Sequence, residues 1–107
     1  MISDFVYDEI MKAECAFVVN MTTKEGFPYE DLSCVLSVGD YPEVKHESYI
    51  VYSKAERVPK NYILENLKRK RFVLKEDISE KLLKRIQKGA IDNDNVPAFI
   101  EDYINYF

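Results

Sequence analysis

The chain of 107 residues has little of what metal sites, membrane spans and disordered linkers need. Its two cysteines and single histidine show no recognisable zinc-ligand spacing, so we expect neither a metal site nor a cofactor. No apolar run approaches the roughly 20 residues that cross a bilayer, so we expect no membrane partner. Three glycines and four prolines are too few for a linker, which predicts a single domain over residues 1–107.

Export and disulfide signals are also weak. Met1-Ile2-Ser3-Asp4 lacks the basic and apolar stretches of a signal peptide. Cys15 and Cys34 each lie within an apolar run, which is typical of buried, reduced thiols. A disulfide between neighbouring strands is the alternative, and it would suit a secreted protein. We therefore expect a cytoplasmic protein with free thiols.

What the chain does have is a globular composition and an uneven distribution of charge. Apolar residues make up 47% and charged residues 32% of the chain, with eight Tyr and six Phe. Residues 1–53 hold three bases and ten acids, a net charge of −7. Residues 54–88 hold twelve bases and five acids, a net charge of +7, and residues 89–107 hold four acids. A basic face is therefore expected on a chain that is acidic as a whole.

The first half of the chain has the hydrophobic patterns of β-strands. Residues 15–21 form an apolar run, residues 32–38 alternate apolar and polar side chains, and residues 48–52 have a third strand pattern. Residues 4–12 suit a short helix, although the first of them also suit a strand. Turn residues separate these segments, which predicts antiparallel neighbours.

The second half has a helical period. Pro59 begins a helix of about three turns, and residues 71–74 suit a short strand. Ser79 is the N-cap of a further helix that Gly89 ends. Pro97 opens a last helix. The apolar stripe of that last helix consists of Phe99, Ile100, Tyr103, Ile104 and Phe107.

This order of elements predicts an α+β fold. We expect a small antiparallel SH3-like barrel or bent sheet with two or three helices, and a C-terminal half that is mostly helical. The stripe from Phe99 to Phe107 packs on its own domain by default, and a homodimer formed through it is the alternative.

Two neighbouring stretches resemble a known family. Residues 34–42 and 45–55 resemble a signature of small bacterial proteins, C-V/I-L-x-x-G-D-H-P-F-I-x-H-x-S-Y/F-V-x-Y-x-x-A. These proteins look like distant relatives of the PemK/MazF toxins, and the similar order of strands covers roughly residues 15–89. The chain has Tyr41 where the signature has His.

The resemblance implies an SH3-like barrel of the toxin–antitoxin kind that binds or cleaves RNA. PemK/MazF toxins are metal-independent endoribonucleases held inactive by an antitoxin, so RNA and an antitoxin are the implied partners. Thr22 or Thr23 matches the hydroxyl of their sites, and Arg57 is the first arginine here that is available to stabilise charge at a phosphate. Together with His46 as a general base and Ser48 beside it, the candidate catalytic residues are Thr22, His46, Ser48 and Arg57.

The strongest local charge signal lies after the first helix. Lys68-Arg69-Lys70-Arg71, with Lys60 and Lys75 nearby, predicts a surface for nucleic-acid phosphates or for an acidic partner segment. A solvated helix end is the alternative explanation. The second functional hypothesis is therefore a non-catalytic protein-interaction module that uses this basic strip and an exposed sheet edge.

Overall fold

The computed structural model describes residues 1–107 and contains one four-stranded antiparallel sheet with the strand order β1-β2-β4-β3. The two central strands are long and the two outer strands are short, so the sheet is open and does not close into a barrel. The strands are β1 (Val6–Asp8), β2 (Ala13–Thr23), β3 (Val35–Leu36) and β4 (Ser48–Pro59).

An irregularity in the pairing of β2 with β4 divides the sheet in two. Val18 pairs with Glu56, and two residues later Asn20 pairs with Val51. The four residues of β4 between these pairs therefore oppose Val19 alone, which bends β4 as a β-bulge does. We call the part of the sheet after this bulge, where β2 ends and β4 begins, the distal half.

Two α-helices follow β4, α1 (Lys60–Leu67) and α2 (Glu80–Asp92). Ser79 is the N-cap of α2, as expected, and its Oγ accepts a hydrogen bond from the N–H of Leu82 (3.3 Å). Three short 3₁₀-helices complete the chain, at Lys75–Asp77, Ala98–Asp102 and Ile104–Tyr106.

Gly89 lies inside α2 and does not end it, contrary to expectation. It faces Tyr52, which lies in the bulge of β4, is fully buried and donates its hydroxyl to the carbonyl of Ile86 (2.8 Å). A Cβ on residue 89 would lie against that hydroxyl and 2.8 Å from Cζ of Tyr52. The glycine is therefore needed because the helix and β4 approach each other closely.

The two faces of the sheet carry separate cores. On one face Phe17 contacts the rings of Phe99, Tyr103 and Phe107, with centroid separations of 5.7, 6.1 and 5.8 Å. The C-terminal stripe thus packs on the chain's own sheet, as the default interpretation predicts. α2 covers the rest of this face through Leu82, Ile86 and Ala90.

The opposite face of the sheet is covered by α1. Ala16 and Val18 of β2 pack with Val58 of β4 against Ile63 of the helix. These residues alternate along β2 with those that face α2, so both faces of the strand are buried between residues 15 and 18.

Two predictions for local segments are wrong. Residues 4–12 form no helix. Their first part contains β1, in agreement with the strand alternative, and a turn follows in which the Asp8 carboxylate accepts hydrogen bonds from the N–H groups of Ile10 and Met11 (3.0 and 2.9 Å). Residues 71–74 pair with no strand.

The last predicted helix is also different in the structure. Residues 98–106 form two 3₁₀-helices that meet at Tyr103, whose φ of −117° interrupts the helical backbone. This bend allows rings on both sides of Tyr103 to reach Phe17.

The α+β class and the presence of buried, unpaired thiols are confirmed. Cys15 and Cys34 are both buried and form no disulfide. Burial raises the pKa of both thiols. Neither α-helix has the length and apolar character that crossing a membrane requires.

Candidate functional site

The structure separates the candidate catalytic residues along the sheet. Thr22 pairs with Tyr49 in the distal half, whereas Arg57 pairs with Phe17 on the other side of the bulge. Phe17 precedes Thr22 by five positions, which is roughly 16 Å along a strand that rises about 3.3 Å per residue. A phosphate held at Thr22 would therefore lie beyond the reach of the Arg57 guanidinium.

Thr22 and Ser48 are near each other in register but lie on opposite faces of the sheet. Ser48 pairs with Thr23, and successive residues of a strand alternate between faces. The Ser48 side chain is buried, and its hydroxyl donates to the carbonyl of His46 (2.8 Å). The His46 imidazole is exposed and has no hydrogen-bond partner in the protein. These three side chains do not converge on one point.

Arg57 holds parts of the fold together. Its Nη1 lies 3.5 Å from Oδ2 of Asp8, and its Cζ lies 4.9 Å from the centroid of the Phe99 ring. The hydroxyl of Tyr103 donates to the same carboxylate oxygen (2.7 Å). Burial alone would raise the pKa of Asp8, but hydrogen bonds from the Met11 N–H and the Tyr103 hydroxyl, together with the charge of Arg57, lower it below its usual value.

Four of the six predicted binding residues form an exposed turn after α1, which we call the basic turn (Lys68–Arg71). The N–H of Arg71 donates to the carbonyl of Asn66 (3.3 Å), and Lys70 adopts a positive φ of 56°. This geometry ends the helix and leaves the four side chains exposed, and none of them forms an ion pair. The basic turn is therefore a source of uncompensated positive charge.

The other two predicted binding residues have partners within the fold. Nζ of Lys60 lies 3.7 Å from a carboxylate oxygen of Glu14, and Nζ of Lys75 lies 2.8 Å from one of Asp4. Lys75 is also largely buried, with a side chain that is 17% exposed. Lys60 thus connects α1 to β2, and Lys75 connects a 3₁₀-helix to the segment before β1.

The outer edge of β2 is covered only along its first part. β1 pairs with residues 13–15 of β2. The N–H of Ile2 then donates to the carbonyl of Phe17 (2.9 Å), and the N–H of Phe17 donates to Oγ of Ser3 (2.8 Å). No segment pairs with this edge in the distal half. The N-terminal residues thus complete the sheet as far as Phe17 and leave the rest of the edge open.

The hydrogen-bond ladder shows which groups the open edge presents. The N–H of Lys24 donates to the carbonyl of Glu47 on the β4 side (2.8 Å). In an antiparallel pair, alternate residues bond to the same neighbour, so Met21 and Thr23 direct their N–H and C=O groups away from β4. No protein group bonds to these four main-chain groups. They form a short, unpaired strand edge.

A cavity of about 310 Å³ opens beside this edge. Thirteen of its fifteen lining residues are apolar, and the two polar ones are Asn20 and Arg71. The Met21 side chain lines the cavity and is 41% exposed. Arg71 belongs both to the cavity wall and to the basic turn, so a positive charge lies at the edge of the apolar cavity.

We define the edge site as the main-chain groups of Met21 and Thr23, the adjacent cavity and the basic turn. It offers hydrogen-bond donors and acceptors in strand geometry, an apolar depression and positive charge. These are the kinds of groups that strand-addition sites offer to an extended peptide segment. No group of three or more His, Cys, Asp or Glu side chains in residues 1–107 is arranged to hold a metal ion.

Sequence reasoning missed Met21 and the cavity, and it identified Arg71 only as one of a basic run. The available signal was the polar end of β2, because Asn20, Thr22 and Thr23 come after the uninterrupted apolar residues 15–19. All four residues from Asn20 to Thr23 are exposed in the structure.

Comparisons with known proteins give no match that bears on these observations. The PemK/MazF resemblance therefore stays a prediction based on the residues quoted for it. No protein-family model matches the chain, and no curated protein or solved structure is significantly similar to it.

Proposed function

We propose that the chain is a non-catalytic protein-interaction module whose edge site binds an extended, acidic segment of a partner protein. The observation that carries the proposal is the unpaired edge at Met21 and Thr23 next to an apolar cavity with Arg71 at its border. A partner segment would add as a strand to this edge, and its main chain would bond to the free N–H and C=O groups.

Side chains of the added segment would contact two different surfaces. In an extended segment every second side chain points to the same face, so apolar residues at that spacing reach the cavity. Carboxylates in the same segment reach the basic turn, whose four cations have no acidic partner in the fold. This charge pattern favours acidic segments and disfavours basic ones.

The proposed function is compatible with an antitoxin-type partner and does not include ribonuclease activity. An antitoxin-type segment has the chemistry of the partner described above, and the edge is a place where such a segment completes the sheet. Ribonuclease chemistry is not part of the proposal, because Thr22 and Ser48 lie on opposite faces and Arg57 is bound to Asp8.

The test uses a short, acetylated peptide in which valine and glutamate alternate, labelled for fluorescence anisotropy. We expect saturable binding in the micromolar range, because each new main-chain hydrogen bond contributes about 1 kcal/mol and burial of an apolar side chain about 2 kcal/mol, offset by the cost of ordering the peptide. Arg71→Glu should weaken this binding about tenfold by reversing a charge at the cavity border.

Lys54→Glu is the matched control, since Lys54 is an exposed cation without an ion pair on β4. It should leave the affinity nearly unchanged. A second peptide with lysine in place of glutamate should not bind. Equal losses in the two charge-reversal variants would contradict the proposal. Direct binding of mixed-sequence RNA, with no binding of the acidic peptide, would also contradict it and favour a nucleic-acid surface.

A further inference from the structure

We infer that, without a partner, the free edge of β2 pairs with the same edge of a second copy of this chain, so that self-association and partner binding compete for the edge site. The inference rests on the proposed docking role of that edge. The second copy is then another occupant of the edge site, and its competition with the partner segment regulates binding.

The positions of the free groups determine the register of such a dimer. Met21 and Thr23 are the residues with outward N–H and C=O groups, and Thr22 lies between them. A twofold axis that places Thr22 opposite Thr22 of the second copy brings each Met21 opposite a Thr23. The pairing satisfies the free groups of Met21 and Thr23 in both copies with roughly four main-chain hydrogen bonds, and it closes after two copies.

Charge complementarity supports this register. Two positions beyond Thr23 the chain reaches Glu25, whose exposed carboxylate has no partner within the fold. In the register above, Glu25 of the second copy lies opposite Val19, which lines the cavity together with Arg71. The twofold axis repeats the arrangement, so each copy brings an unpaired carboxylate towards the basic turn of the other.

The loop that follows β2 also supplies exposed apolar surface for this contact. The rings of Phe27 and Tyr29 stack with centroids 5.3 Å apart and an interplanar angle of 8°, although the two residues are 48% and 78% exposed. The Glu30 carboxylate accepts hydrogen bonds from the N–H groups of Glu25 and Gly26 (2.8 and 2.9 Å), which fixes the loop. A rigid, acidic and aromatic loop complements a basic, apolar cavity.

Sedimentation velocity of the purified chain over a wide concentration range tests the inference. We expect a reversible monomer–dimer equilibrium that the valine–glutamate peptide shifts towards monomer. Thr22→Lys places two ammonium groups opposite each other on the axis and should raise the dimer dissociation constant at least about fivefold. Thr22→Val keeps a β-branched residue and is the matched control, with an unchanged or tighter dimer.

A covalent test locates the axis. Thr22→Cys should form a disulfide-linked dimer on mild oxidation, because directly opposed residues of an antiparallel pair have the Cβ spacing that a disulfide needs. Ser53→Cys, an exposed position in the bulge of β4, should stay monomeric on the same gel.

Two results would overturn the inference. One is a chain that remains monomeric at every concentration. The other is a dimer that Thr22→Lys does not weaken and that Thr22→Cys does not link. Neither result removes the proposed function, because acidic-peptide binding is measured separately and Thr22→Lys adds a cation that an acidic peptide tolerates. A chain that dimerises through Thr22 but does not bind the peptide would contradict the proposed function and the competition, and would leave the dimer itself supported.

Discussion

Replacement of Gly89 by alanine is expected to lower the free energy of unfolding by about 3 kcal/mol, although alanine favours helices by about 1 kcal/mol over glycine. The added Cβ would lie against the Tyr52 hydroxyl, within a contact that leaves no room for it. Tyr52 would have to move and give up its buried hydrogen bond to the Ile86 carbonyl. Denaturant unfolding of the purified variant measures the effect.

A double-mutant cycle separates the clash from other consequences of Gly89→Ala. Tyr52→Phe removes the atom closest to the new Cβ and should itself cost about 1 kcal/mol through the lost hydrogen bond. In the double variant the alanine should cost clearly less than in the wild-type background. If Gly89→Ala stabilised the protein, as helix propensity alone predicts, that result would contradict the close contact between α2 and Tyr52 of β4.

Asp8→Asn is expected to cost about 2–3 kcal/mol at neutral pH, because the variant loses a buried carboxylate that accepts three hydrogen bonds and forms one ion pair. The pKa of Asp8 is lowered in the folded chain. Its contribution to stability is therefore present above the unfolded-state pKa of about 4 and is lost as the pH falls through the lower folded-state pKa.

The difference between wild type and Asp8→Asn should therefore shrink in acid, and unfolding curves at neutral pH and below about pH 4 measure it. Glu9→Gln is the matched control, since Glu9 is the exposed neighbour of Asp8 and forms no ion pair. Its effect should be small at every pH. A stability difference for Asp8→Asn that stays constant with pH would contradict the network of Asp8 with Arg57 and Tyr103.

Some of the fold could be predicted because local and tertiary preferences agree. The cap at Ser79 and the helical spacing of Leu82 and Ile86 predict α2, and both residues are buried. The apolar run from Cys15 lies in β2, where both faces are covered. In these segments the spacing of apolar residues along the sequence matches the repeat of the helix or strand, so the buried positions can be read from it.

Other segments depend on pairing that no local pattern reveals. β4 continues to Pro59 although Ser53, Lys54 and Glu56 are polar and exposed, because β2 supplies its hydrogen-bond partners as far as Cys15. The alternating segment 32–38 forms only a two-residue strand, and its two terminal apolar residues are exposed. In both segments the length of the strand depends on which neighbouring strand pairs with it, and not on the local sequence pattern.

In the candidate site, too, one feature could be predicted from the sequence and others depend on the assembled fold. The exposure of the basic turn follows from its charge, and the sequence predicts it. The separation of Arg57 from Thr22 depends on the register of β2 with β4, which the sequence does not specify. The free edge depends on how far β1 and the N-terminal residues cover β2, and that is a property of the assembled sheet.

Residue-resolved amide hydrogen exchange along β2, with and without the valine–glutamate peptide, tests the central claim most directly. The account predicts slow exchange at Asn20 and Thr22, which bond to β4, and fast exchange at Met21 and Thr23 in the monomer. Saturating peptide should slow Met21 and Thr23 at least about tenfold and leave Asn20 and Thr22 unchanged. If Met21 and Thr23 are already protected in the free monomer, or stay fast with the peptide bound, the edge of β2 is not the docking site.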